Sequence, residues 1–133
     1  MLIGHLPLKE IWRVQSEWRR VFAKRYFEAT GRWVRAADRH IFDSRYLDRF
    51  SVGPAAQLDY EEAEDFCEIY VVLDDGRVAE VHDCKPRLAN YIEQVGVTIF
   101  PSNFTWTAAV GPDYFDPVYF AQAGWVSSLT PQL

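Results

Sequence analysis

An α+β fold, an antiparallel sheet of about four strands with a long N-terminal helix and shorter helices packed on one face, is predicted by three features of the chain. A long amphipathic stretch opens it, a well-marked β-hairpin occupies its middle, and two more β-rich runs follow a short helical pattern. Its 133 residues, 49% hydrophobic and 16% aromatic, suit a single α+β domain, 1–133, with one substantial core.

The first element is a helix over 7–30. Ile11, Val14, Trp18, Val21, Phe22 and Ala29 recur at the three- and four-residue spacing of one helical face. Pro7 suits the first turn, and Gly31 suits a left-handed closing residue. Over 33–50 the pattern is divided, because Val34, Ala37, Ile41 and Phe50 fit a helix whereas 33–35 and 40–42 also fit short strands. A helix is the reading adopted. Ser51, Val52, Gly53 and Pro54 then break the chain, and 59–65 reads as a short acidic helix.

The hairpin comes next. The run 66–73 and the run 78–82 flank Asp75-Gly76, a dipeptide that favours a two-residue turn with positive φ at both positions. That loop sets Tyr70 opposite Val81, Ile69 opposite His82, and Cys67 opposite Cys84. Lys85-Pro86 ends the second strand, and Leu88, Tyr91, Ile92 and Val95 form a short helical pattern closed by Gly96. Strands over 97–100 and 104–110, joined by Pro101, Ser102 and Asn103, complete the sheet. Alternation in the last strand puts Phe104, Trp106 and Ala108 on one face, with Thr105, Thr107 and Ala109 on the other.

The net charge of −5 conceals a division. Residues 1–50 hold eleven Lys/Arg against six Asp/Glu, whereas 51–133 hold three against thirteen, ten of them between Asp59 and Asp83. Such asymmetry bears on partners rather than on fold. No apolar run approaches the roughly 20 residues a membrane helix needs. Residues 1–7 lack a basic start, a long apolar stretch and a cleavage site, so a cytoplasmic protein is expected.

Motifs for chemistry are sparse. Cys67 and Cys84 fall at a facing pair whose Cα atoms would lie about 4.5 Å apart, within disulfide reach, but two cysteines in such a chain read as reduced thiols. His82 shares their face, yet the spacing matches no zinc motif, and neither metal nor cofactor is expected. His5, His40 and His82 lie in separate segments. The chain has no phosphate loop, nucleophile elbow or dinucleotide fingerprint. The segment 113–116, with Asp113, Tyr114, Phe115 and Asp116, reads as a loop bearing two aromatics and two acids, as binding loops often do.

The run 97–107, VTIFPSNFTWT, followed by DPVYF at 116–120, resembles a family of small bacterial proteins of unknown function with a Phe-Ser/Thr-Trp-Thr motif and a closing Gly-Pro-Tyr-Phe. The chain departs from that pattern where the family has Thr-His-Glu and this sequence has Ala109, Val110 and Gly111. The family's Trp-His-x-Phe-Ser is matched only in part by 39–43, RHIFD. The resemblance implies a cytoplasmic protein without an assigned activity, some relatives of which look like immunity partners of toxins.

Three functions are therefore expected in order. The first is an immunity-type protein that covers a basic partner such as a toxin domain, with Asp59, Glu61, Glu62, Glu64 and Asp65 steering association and Tyr60, Tyr114 and Phe115 anchoring it, flanked by Asp113 and Asp116. The second is a small enzyme with a pocket between the sheet and 33–50, using His40 and Asp43. The third is a nucleic-acid binder using Lys9, Arg13, Arg20 and Lys24, against which the acidic second half argues.

Overall fold

A computed structural model of the protein describes residues 1–32, 41–65, 67–111 and 117–125. Among the described residues, seven strands form one sheet: β1 (Leu2–His5), β2 (Ser51–Val52), β3 (Ile69–Leu73), β4 (Ala79–His82), β5 (Val97–Pro101), β6 (Trp106–Val110) and β7 (Val118–Gln122). Their order is β1-β4-β3-β5-β6-β7-β2, with every neighbouring pair antiparallel. The expectation of about four strands is thus corrected to seven.

The extra strands escape pattern reading for separate reasons. In β1 the register slips between Leu2 and Gly4, and both Leu2 and Ile3 are exposed on the sheet edge, so no alternation marks it. Only two residues form β2. In β7, Val118 and Phe120 join one core cluster while Ala121 joins the other and Tyr119 packs against it. Strands covered on both sides read as continuous apolar runs instead of alternating ones.

That double cover is the second correction, because helices pack on both faces. Helix α1 (Leu8–Phe22) lies on the first face, where Ile11, Val14, Trp18 and Phe22 meet Tyr70, Val72, Ala79, Val81 and Phe100. On the second face, Ala56 and Tyr60 of α3 (Gly53–Glu62), with Leu88 and Tyr91 around α4 (Ala89–Ile92), meet Ile69, Val71, Val97, Ile99, Trp106 and Phe120. The result is a three-layer sandwich.

Two helical assignments also change. The stretch 7–30 is two helices, α1 and α2 (Lys24–Thr30), divided at Ala23, whose φ of −111° and ψ of 17° leave the helical region. Gly31 does close α2 in the left-handed conformation, at φ 70°. The helix expected over 33–50 does not run through its described part, where Ile41 is in a 3₁₀ conformation and 42–50 forms turns and irregular chain, and 33–40 lies outside the described residues. The acidic helix begins six residues before Asp59, at Gly53, whose φ of 62° suits glycine.

The hairpin pairs Ile69 with His82 and Tyr70 with Val81, as expected. Its turn differs, because Gly76 donates its N–H to Leu73 O at 2.8 Å and has φ 70°, whereas Asp75 has no positive φ. The ladder stops at Ile69 and His82, and Cys67 and Cys84 are free thiols beyond it. Phe104 is the third local surprise. Its φ of 56° turns its ring to stack on Phe100 on the first face, opposite Trp106.

Candidate partner-binding surface

The acidic segment is held in place from beneath. Tyr60, on the inner side of α3, is 3% exposed. Its hydroxyl donates to Pro86 O at 2.6 Å, and its ring meets Trp106 edge-on at 5.5 Å. Burial pushes its pKa well above the ordinary tyrosine value. Tyr60 is therefore an interior anchor of α3 and not a contact offered to a partner.

The end of α3 is fixed by a single cation. Lys85 Nζ donates to Tyr60 O, Glu61 O and Ala63 O at 2.8, 2.6 and 2.6 Å; Tyr60 O also accepts the Ala63 N–H, and the cation satisfies the last carbonyls that a helix leaves unpaired and places positive charge at its negative end. Just beyond, Trp106 Nε1 donates to Glu64 O at 2.8 Å. The backbone is thus tied to the sheet while the Glu61, Glu62 and Glu64 side chains are left exposed. Among the described residues none of these three carboxylates has an ion-pair partner. Asp59 is half-buried and accepts from the Ser51 hydroxyl at 2.7 Å, and half-buried Asp65 accepts from the Lys85 backbone N–H.

Beside these acids lies a cleft of about 330 Å³ lined by Glu62, Ala63, Glu64, Thr105, Trp106, Phe120 and Gln122. Trp106 and Phe120 stack at 5.8 Å and are 2% and 0% exposed, so carboxylates rim a cleft that is backed by buried rings and not by an open aromatic face. A second cleft, of about 400 Å³, opens between α3 and α4 and includes Glu61, Lys85 and Arg87. Of the expected site, Glu62 and Glu64 line the first cleft and Glu61 the second, whereas Asp59 and Asp65 line neither and are engaged by Ser51 and Lys85. Asp113, Tyr114, Phe115 and Asp116 lie outside the described residues. The contributions of Lys85, Trp106 and Phe120 were not foreseen, because a strand tryptophan reads simply as core.

The alternative sites fare differently. His40 lies outside the described residues. Asp43 accepts from the Arg45 backbone N–H at 2.8 Å and pairs with its guanidinium at 3.0 Å, which keeps its pKa low. Its carboxylate already has partners. His82 Nε2 meets Glu80 Oε1 at 2.9 Å, and Tyr91 donates to the same oxygen at 2.8 Å. Burial, and then the Glu80 carboxylate, raise the Tyr91 pKa. This trio joins β4 to α4 on the second face. No group of three potential metal ligands occurs among the described residues. On α1, Arg13 pairs with Glu10 at 2.8 Å and Arg20 pairs with Glu17, so part of the basic stripe is neutralised within its own helix.

No helix among the described residues is long and apolar enough to cross a membrane. Compared with family models, curated proteins and solved structures, the chain has no match in any of the three.

Proposed function

We propose that the protein binds a basic protein and neutralises it, as a cytoplasmic immunity protein neutralises a toxin domain, through the surface at the end of α3. One observation carries the reading: Glu61, Glu62 and Glu64 are exposed and unpaired among the described residues, and Glu62 and Glu64 border a cleft of about 330 Å³. Unpaired carboxylates of one sign raise the association rate with a cationic partner, and a cleft rimmed by two of them gives an arginine or lysine side chain somewhere to dock. Lys85 and Trp106 hold the backbone beneath them, so little ordering entropy is lost on binding. The resemblance of 97–107 to a family with immunity-like members points the same way.

The test is charge reversal. Glu61, Glu62 and Glu64 are changed together to Lys, and capture of the co-purifying basic partner is compared at low and high salt. The triple variant is expected to lose most of the affinity and most of its salt dependence. Unchanged affinity with unchanged salt dependence would refute the assignment of this surface.

A further inference from the structure

A third cleft, of about 320 Å³, lies on the opposite side of the molecule from the acidic surface, between α1 and the β3–β4 turn, and is lined by Trp12, Gln15, Arg19, Asp75, Gly76 and Arg77. Its two walls are locked together, because Gln15 Nε2 donates to Gly76 O at 2.8 Å. The turn is held in shape by Asp75 Oδ1, which accepts from the Arg77 backbone N–H at 2.8 Å. This geometry exists without a ligand.

The side chains it gathers are unusual for this protein. Arg13 and Arg20 of α1 each hold a glutamate of the same helix. Arg19, in contrast, gives only its Nε–H to Gln15 O at 3.2 Å, and neither Arg19 nor Arg77 has a carboxylate partner among the described residues. Arg19 is half-buried, and that burial alone lowers its pKa. A partly desolvated guanidinium without a counter-charge is costly unless an anion completes it. Trp12 stands beside it 66% exposed, offering a flat ring that the core does not use.

We infer that this cleft is a binding site for a small anion carrying a planar ring, of the nucleoside monophosphate class, with Arg19 and Arg77 on the phosphate and the Trp12 indole under the base. Guanidinium forks match phosphate oxygens in pairs, and indole faces stack on bases of any sequence. The volume falls at the small end of the roughly 300–1,000 Å³ of ligand clefts, which suits one nucleotide unit. Asp75 keeps a carboxylate oxygen for a sugar hydroxyl or base amine. The site is independent of the acidic surface and would stand if that surface had no partner.

Calorimetric titration of the full chain with AMP, adenosine and inorganic phosphate tests the inference, in the wild type and in Arg77→Gln and Trp12→Ala, both changes of exposed side chains. AMP is expected to bind saturably and at least about tenfold more tightly than adenosine or phosphate, with Arg77→Gln losing about tenfold, the worth of one charge-assisted hydrogen bond. Trp12→Ala is expected to bring AMP down to the affinity of phosphate. Absence of saturable AMP binding would overturn the inference. So would equal binding of AMP and adenosine, indifference to both substitutions, or binding of a single-stranded oligonucleotide where AMP does not bind.

Discussion

Of the two helical layers, the one built from α1 and α2 carries six Lys/Arg against three Asp/Glu over 8–30, whereas 53–68, which contains α3, carries six Asp/Glu and no cation. The division of charge along the chain has become a division across the sheet. The layers also use their charges differently. On α1 two arginines are spent on glutamates three residues away, while Glu61, Glu62 and Glu64 face solvent with their backbone pinned by Lys85 and Trp106. A net charge predicts a partner only where the fold leaves its side chains unpaired.

The largest expected effect separates the layers by their cores. Trp18 is fully buried and donates to Thr107 Oγ1 at 2.9 Å, so Trp18→Ala is expected to cost about 3–5 kcal/mol in urea unfolding, without altering the acidic surface. Loss of partner binding by this variant under folding conditions would show that the layers are coupled.

Alkaline pH sharpens the contrast next. Tyr60 and Tyr91 on the second face have folded pKa values raised above the ordinary 10.0, so above about pH 10 the unfolded chain releases protons that the folded one keeps. Their contribution is complete below that pH and is lost as pH rises past it, by up to about 1.4 kcal/mol per group per pH unit. Tyr60→Phe should flatten the fall of unfolding free energy between pH 9 and 11, which denaturant titrations across about that range would measure.

Removing the pin itself comes third. Lys85→Met leaves Glu61 O and Ala63 O to water, Tyr60 O keeping the Ala63 N–H, and is expected to cost about 1–3 kcal/mol, with faster amide exchange at residues 61–64. Unchanged exchange there would mean that the aromatic contacts alone hold the segment. The smallest effect is a gain. Thr98 is fully buried on the first face, and its hydroxyl finds no hydrogen-bond partner among the described residues, so Thr98→Val, of equal shape, should raise stability by about 1 kcal/mol. A thermal melt reads the sign.

How much of this is legible in the sequence depends on whether an element has one wet side or clear turn residues at its ends. Helix α1 has such a side, and its period was visible from Ile11 to Phe22. The hairpin register was visible because Asp-Gly marks its turn, although the turn residues adopt another geometry. Strands β5 and β6 are covered on both faces too, but Gly96, Pro101-Ser102-Asn103 and Gly111 bound them, whereas β7 follows the aromatic run 114–115 and Pro117 with no turn dipeptide to mark its start. The positive φ of Phe104, which no local pattern signals, moved that ring across the sheet. At the candidate surface the acids could be listed from the sequence, but the burial of Tyr60 and the triple contact of Lys85 depend on chain segments more than twenty residues apart.

The most direct test of the two-sided account is a hydrogen-exchange footprint of the protein with its captured basic partner. Protection is predicted at 59–65 and at the cleft strands around Thr105, Trp106 and Gln122, with α1 and α2 unchanged. Protection confined to α1 and α2, with 59–65 exchanging as in the free protein, would contradict it.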